Sequence, residues 1–115
     1  MRRKVFGTVI GCGCAAILGS VVASSAFALD AGAAEALMKK SNCFKCHSVD
    51  RKKDGPSFKE IAAKYKDKPD AQKTLFVHLT TNPKIKIDGK EELHDALKTK
   101  NESEINNVIE WILSR

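Results

Sequence analysis

The feature that most constrains this chain is the motif Cys-Phe-Lys-Cys-His at residues 43–47. Two thiols separated by two residues and followed at once by a histidine are the pattern of covalent c-type haem attachment. The thiols of Cys43 and Cys46 are then expected to add to the two vinyl groups of one haem. The imidazole of His47 is expected to bind the iron as the proximal ligand. The motif therefore predicts a domain that folds around a haem group.

Three other kinds of site that use paired cysteines fit the sequence less well. A zinc site would need a second ligand pair at matched spacing, and the remaining histidines, His78 and His94, are too far apart in the sequence to form one. A thioredoxin-like redox motif needs a surrounding βαβ pattern, which this chain lacks. A disulfide across two intervening residues would be short and strained. Haem attachment is the best interpretation of the motif.

The first 28 residues have the pattern of a secretory signal peptide. The basic segment Met1-Arg2-Arg3-Lys4 precedes an apolar, charge-free stretch over residues 5–25. Ala26-Phe27-Ala28 then supplies a small-residue cleavage site, so the mature chain is predicted to begin at Leu29. We therefore predict a signal peptide over residues 1–28, one domain over residues 29–115, and export to the periplasm. Export agrees with the haem motif, because haem c is normally attached outside the cytoplasm.

Two alternatives for this leader stay open. Residues 5–28 are long enough to span a bilayer, so the leader would then be an uncleaved membrane anchor. The segment Val9-Ile10-Gly11-Cys12 also resembles a lipoprotein box. If the leader is cleaved as predicted, no stable membrane anchor remains.

Composition indicates a small domain that needs a stabilising group. Its only cysteines after the leader are Cys43 and Cys46, so no disulfide framework is available. So short a chain buries little core by itself, and a haem would supply a large apolar centre. Of the 20 lysines and arginines three lie in the leader, which leaves a modest excess over the 14 acidic residues. Without basic-aromatic repeats, nucleic-acid binding is not expected.

Helical patterns recur along the rest of the chain, and strand patterns are weak. Asp30 is placed to cap a first helix that runs into the haem motif. Asp54-Gly55-Pro56 is a turn, and Ser57 with Glu60 forms a capping box before apolar residues at i, i+3, i+4 and i+7. Asp70 is placed to cap a further helix.

The last third of the chain is predicted to hold a loop and two helical segments. Residues 83–89 form the loop, and Asp88 and Glu91 suggest a cap for a short helix with Leu93 and Leu97 on one side. A second capping box at residues 101–104 starts a final amphipathic helix. Together these patterns predict one small all-α domain of four or five helices.

Over residues 37–115 the chain resembles the small bacterial class I cytochromes c. Residues 39–50 are similar to the family's haem-binding segment, residues 55–65 to its Gly-Pro turn and following helix, and residues 110–114 to its C-terminal helix. The resemblance implies the class I cytochrome c fold, with four to five helices around one covalently bound haem c and its iron. It also implies that the first and last helices pack together, with Met38 and Trp111 in the contact.

The resemblance implies a role for Pro56 as well. In the family the carbonyl group of the turn proline accepts a hydrogen bond from the proximal histidine. Pro56 is the matching residue, and its carbonyl would fix the tautomer and orientation of His47.

The chain departs from the family at the second axial ligand. The family uses a methionine in the loop before the last helix, whereas this sequence has only Met1 and Met38. His94 lies at about the chain position of that methionine, so we predict that His47 and His94 both bind the iron. The alternatives are His78, an open site, or a lysine among Lys84, Lys86 and Lys90.

The resulting hypothesis is an exported monohaem protein that carries single electrons. Without the methionine that raises the potential of cytochromes c, we expect a comparatively low potential. Redox partner proteins are expected to bind through an acidic surface of the partner, which would contact Lys45, Lys52 and Lys53 of this chain. The alternative is that these lysines only form a solvated surface. No nucleophile–base pair or carboxylate dyad stands out, so an enzyme is not expected. A sensor or binder of NO, CO or oxygen and a cytochrome subunit of a larger oxidoreductase stay open.

Overall fold

A computed structural model describes residues 28–115, which form five helices and one β-hairpin. The elements in chain order are α1 (Ala31–Lys40), α2 (Cys43–Cys46), α3 (Phe58–Tyr65), α4 (Ala71–Thr80), β1 (Lys84–Ile87), β2 (Lys90–Leu93) and α5 (Glu102–Leu113). The predicted signal peptide, its cleavage site and the alternatives of an anchor or lipoprotein box lie outside the described residues, apart from Ala28. Among the described helices, none is long and apolar enough to cross a bilayer.

Local signals set the starts of α1 and α3, as predicted. A side-chain oxygen of Asp30 accepts a hydrogen bond from the backbone N–H of Ala33 at 3.0 Å, which satisfies one of the free donors at the start of α1. After α1 the backbone of Asn42 is left-handed (φ 63°), a common way to end a helix. Ser57 and Glu60 form both hydrogen bonds of the capping box at the start of α3.

Two further predicted helix caps, those at Asp70 and Asn101, differ in part from the prediction. The Asp70 carboxylate accepts no hydrogen bond from the backbone of α4. It accepts one from the hydroxyl group of Thr74 instead, at 3.3 Å. The Asn101 side chain does cap α5, because it accepts from the backbone N–H of Ser103 at 2.9 Å. The predicted capping box is not completed, since the Glu104 carboxylate binds the hydroxyl group of Thr99 and not the backbone of Asn101.

The segment between α4 and α5 is a β-hairpin, so the predicted loop and short helix there were wrong. β1 and β2 pair antiparallel from Lys84 opposite Leu93 to Ile87 opposite Lys90. The two residues between them, Asp88 and Gly89, have φ values of 50° and 80°, which fits a two-residue type I′ turn. The extended backbone separates the two leucines that a helix would have placed together. Leu93 is 66% exposed, whereas Leu97 is 6% exposed.

The core lies where α1, α3 and α4 pack against α5. The predicted contact between the first and last helices is confirmed, and Met38 and Trp111 are both almost fully buried in it. The indole N–H of Trp111 donates to the Glu35 carboxylate at 3.2 Å, so its polar atom is satisfied. The Phe58 ring packs edge-on against the indole with ring centroids 5.2 Å apart. These contacts confirm the small all-α domain, to which the structure adds the hairpin.

Candidate functional site

A cleft of about 780 Å³ opens beside this core and brings together every residue that the sequence predicted for the haem site. Five of its lining residues are Cys43, Cys46, His47, Pro56 and His94. Much of the remaining wall is apolar and comes from α3, α4, β1 and α5, through Ile61, Leu75, Leu79, Ile85, Ile87 and Ile112. The cleft is thus suited to a large apolar group, and two of the histidines lie in its wall together with the two cysteines.

The two cysteines are held on the single turn of α2. Residues three apart in a helix lie on the same side, so both thiols reach the cleft. Both are half-buried and unpaired, and no disulfide joins them. Burial raises the pKa of the Cys43 thiol to about 11, which keeps it protonated at neutral pH.

His47 follows α2 directly and is fixed by the turn that precedes α3. Its Nδ1 lies 2.6 Å from the carbonyl oxygen of Pro56, the contact that the resemblance led us to expect. When Nδ1 carries the proton and donates it to this carbonyl, Nε2 keeps a free lone pair. The imidazole is therefore oriented to bind a metal ion through Nε2.

Gly55 is a residue of the site that sequence reasoning named only as part of a turn. A Cβ atom added at Gly55 would lie 2.6 Å from Cε1 of His47, well inside van der Waals contact. Its backbone N–H also donates to the Cys46 carbonyl at 2.8 Å, which ties the turn to the haem motif. Glycine is needed here for space against the imidazole, a requirement that the sequence alone does not reveal.

His94 enters the cleft from the opposite side, just after β2. Its backbone N–H donates to the carbonyl of Pro83 at 2.8 Å, and its carbonyl accepts from the Asn82 side chain at 2.9 Å. The half-buried ring has its centroid 6.1 Å from that of His47. Its Nδ1 is buried without a hydrogen-bond partner within residues 28–115. An isolated buried nitrogen of this kind is rare unless a missing group completes its environment.

The third histidine, His78, lies on α4 and contacts His94. The centroids of these two rings are 4.4 Å apart, and both side chains line the cleft. Burial lowers the pKa of His94, and the nearby imidazoles of His78 and His47 lower it further. Burial also lowers the pKa of His78, with smaller contributions from His47 and Lys64. Both rings therefore favour the neutral form, which is the form that binds metals.

The predicted lysines lie at the edge of this site. Lys45, Lys52 and Lys53 are exposed, and the ammonium group of Lys53 donates to the carbonyl of Phe44 at 2.8 Å. Of the three hairpin lysines that were alternative ligands, Lys86 lines the cleft. Lys84 lies 3.8 Å from the Glu91 carboxylate across the hairpin, so its charge is already partnered at the surface.

The arrangement fits a haem better than a bare metal ion. No group of three or more His, Cys, Asp or Glu side chains within the described part of the chain could by itself hold a metal ion. A porphyrin supplies the equatorial nitrogens of its iron, so the protein needs to provide only axial ligands. The two thiols on α2, the two imidazoles of His47 and His94 and the apolar part of the cleft wall all suit such a group.

Comparison with known proteins agrees with this interpretation. The family described as cytochrome c matches residues 31–115. The crystal structure of the class 1 cytochrome MtoD from Sideroxydans lithotrophicus ES-1 is 48% identical and superposes with a TM-score of 0.71, covering 76% of this chain and 97% of that one. Cytochrome c-551 of Stutzerimonas stutzeri is 39% identical over 80 residues, which are 70% of this chain and 74% of that protein.

A further relative is matched over a shorter span. Cytochrome c-552 of Nitrosomonas europaea is 49% identical over 55 residues, or 47% of this chain and 53% of that protein. The relatives are cytochromes, so the expectations of one covalently bound haem c and of an electron carrier that is not an enzyme are supported. With a fold, a motif and relatives that agree, the chain belongs to the cytochrome c family as a small class I member with one haem.

Proposed function

We propose that this cytochrome is exported and carries single electrons between redox proteins, with its iron bound by His47 on one side and His94 on the other. Cys43 and Cys46 would hold the haem covalently, and the Pro56 carbonyl would orient His47. The observation that carries the proposal is the placement of the two imidazoles in one cleft with ring centroids 6.1 Å apart.

This separation suits two ligands of one metal ion. Metal–imidazole bonds of about 2.0–2.1 Å place two imidazole centroids on opposite sides of the ion about 6 Å apart. The backbone of His94 is held at both its N–H and its carbonyl, so the ring starts from a fixed point. The pair therefore needs little rearrangement to bind on both faces of a haem.

Each part of the protein has a stated task in this proposal. The haem, when bound, supplies an iron that alternates between the ferric and ferrous states. The apolar wall of the cleft excludes water, and the two histidines fill both axial positions so that nothing has to bind or leave during electron transfer. Because neither ligand is the methionine that raises the potential of cytochromes c, the proposal includes a comparatively low potential.

Export and electrostatic docking belong to the same proposal. Cleavage before Leu29 would leave a domain whose first described helix cap, Asp30, lies immediately after the new N-terminus. The exposed lysines Lys45, Lys52 and Lys53 lie next to the haem motif, where a partner with an acidic face would bring its own redox centre close to the cleft.

The ligand assignment is tested by His94→Ala in the holoprotein. The reduced variant should bind CO rapidly, because its sixth position is open, while the wild type binds CO slowly or not at all. Val77→Ala is the control, since it shortens an exposed apolar side chain of α4 that is not among the residues lining the cleft, and it should leave the low-spin spectrum unchanged.

Two results would contradict the proposal. A wild-type protein that is high-spin and binds CO at once would favour a sensor or binder of small gases. A low-spin His94→Ala variant combined with a high-spin His78→Ala variant would assign the distal ligand to His78.

A further inference from the structure

We propose that His78 is a positioning residue for the distal ligand, and that its imidazole accepts a hydrogen bond from Nδ1–H of His94. This inference rests on the proposed binding of the iron by His94. It assigns a role to the third histidine of the cleft, which the electron-transfer proposal does not itself use.

The first observation concerns the two nitrogens of the His94 ring. Nδ1 is the buried side-chain nitrogen or oxygen that lacks a partner in the part of the chain that the structure describes. Nε2 is not among the buried atoms without a hydrogen-bond partner, and His94 lines the cleft. The nitrogen that is open to the cleft, and so to an iron bound there, is therefore Nε2.

Binding through Nε2 creates a need at Nδ1. A neutral imidazole carries one proton, and when Nε2 gives its lone pair to a metal ion that proton resides on Nδ1. A buried N–H without an acceptor is destabilising, because it has lost its hydrogen bonds to water and gained none. Histidines that bind metals almost always donate this second N–H to a carboxylate, a carbonyl group or water. On the proximal side the Pro56 carbonyl meets this need for His47.

The surroundings of His94 leave few acceptors. The nearby His47 ring has its Nδ1 committed to Pro56. The Asp95 carboxylate belongs to an exposed residue, where water competes for it. His78 is half-buried, and its ring centroid lies 4.4 Å from that of His94 with the ring planes at 54°. The backbone of Asp95 also lies close enough to the His94 ring to raise its pKa, but it makes no hydrogen bond with the buried Nδ1. Among the side chains, His78 combines contact with burial.

The hydrogen bond requires only a small change of side-chain geometry. In the structure the two rings touch, and Nδ1 of His94 has no hydrogen bond. The torsion angle that turns an imidazole about its Cβ–Cγ bond has a broad energy minimum, so rotation of either ring costs little. The backbone of His78 is fixed in α4 between the buried residues Leu75 and Leu79, which keeps its ring beside His94.

A hydrogen bond of this kind would tighten the sixth position. An acceptor on Nδ1–H makes the ligating nitrogen more basic and limits rotation of the ring. The His94–iron bond would then open less often, and the ferric state would be favoured because it gains more from a basic ligand. Without His78 the same ligand should remain bound, but more loosely and at a higher potential.

The test compares three variants of the holoprotein. His78→Phe removes the acceptor but keeps a ring, His78→Gln retains an oxygen that accepts a hydrogen bond, and Asp95→Ala removes the competing carboxylate. The readouts are the rate of CO binding to the reduced protein, the low-spin signal in electron paramagnetic resonance, and the reduction potential. The thermal unfolding midpoint of each variant reports whether it is folded.

His78→Phe should remain low-spin, bind CO about tenfold faster than the wild type, and show a raised potential. His78→Gln should restore most of the wild-type CO rate, and Asp95→Ala should leave that rate unchanged. CO binding at the wild-type rate in folded His78→Phe would overturn the inference, as would a tenfold rise in Asp95→Ala alone. A high-spin His78→Phe beside a low-spin His94→Ala would instead overturn the ligand assignment itself, so the two failures are distinguishable.

Discussion

The contact between Gly55 and His47 allows a sharp test of how the proximal ligand is held. In Gly55→Ala the new methyl group would lie 2.6 Å from Cε1, 2.9 Å from Nδ1 and 3.2 Å from Nε2 of the imidazole. Ordinary van der Waals contact begins near 3.4 Å, so the ring or the turn has to move by about 0.8 Å. The imidazole and the turn cannot both keep their present positions in this variant.

The cost follows from what that movement breaks. The Nδ1–Pro56 hydrogen bond is 2.6 Å long, and a shift of this size away from the turn lengthens it to about 3.4 Å, beyond the usual range of about 2.7–3.2 Å, so that most of its strength is lost. Loss of one such bond with a partner left unsatisfied costs about 1–3 kcal/mol. We therefore expect Gly55→Ala to lower the free energy of unfolding of the holoprotein by about 1–3 kcal/mol, and to weaken the axial bond of His47.

Urea unfolding measured at the haem absorption band gives the stability, and the low-spin spectrum reports the axial bond. Gly32→Ala is the matched control, because a Cβ there meets only Asp30 Oδ1 at 3.7 Å. Since Gly32 lies inside α1, its replacement by alanine should be neutral or stabilising by about 0.5–1 kcal/mol. If Gly55→Ala matches the wild type in both stability and spectrum, the steric argument is refuted.

Two further predictions concern the start of the domain and its surface. Asn107→Leu should lower the free energy of unfolding by about 1–3 kcal/mol in urea titrations, because the buried amide binds both the N–H and the carbonyl of Asp30, at 2.9 and 2.8 Å. Asn106→Leu is the control, since it loses only one side-chain hydrogen bond, to Gln72, and should lower the free energy of unfolding by less. Equal losses in the two variants would contradict this prediction. The bimolecular rate of electron transfer with an acidic redox partner should fall as ionic strength rises, and a rate that is independent of salt in stopped-flow mixing would argue against docking by Lys45, Lys52 and Lys53.

The parts of the structure that depend on neighbours in the sequence could be predicted from it. The capping box at Ser57 and Glu60 uses residues three apart, and the final helix shows its apolar period directly. The haem motif is equally local, because one turn of helix presents both thiols. The packing of α1 on α5 is not local and was expected only from the resemblance to the family.

The hairpin shows a local signal that was misread. Ile85 and Ile87 alternate with lysines, and Asp88-Gly89 is among the strongest sequence signals for a two-residue turn. The charged residues of β2, all of them exposed, carry no apolar alternation, and this obscured the second strand. Because Asp88-Gly89 is a two-residue turn signal, it predicts a strand on each side, which is incompatible with a helix around Leu93.

Contacts between side chains that are far apart in the chain could not be predicted from the sequence. Nothing in the spacing of His78 and His94 indicates that their rings meet, because the pairing depends on how α4 lies beside the segment after β2. The need for a glycine at Gly55 likewise arises from a ring eight residues earlier that folds back over the turn. Such requirements are set by packing, which no local pattern encodes.

In the proposed coordination, the hairpin would hold His94 rigidly although this residue lies outside any helix. The hydrogen bonds that join His94 to Pro83 and Asn82 continue the pairing of β1 with β2. His94 therefore lies at the end of the hairpin opposite to the turn. Moving the ligand would require these two bonds to break along with the last pair of the ladder. A ligand held in this way changes little when the iron changes its charge, and that suits an electron carrier more than a protein whose sixth position must open to bind a gas.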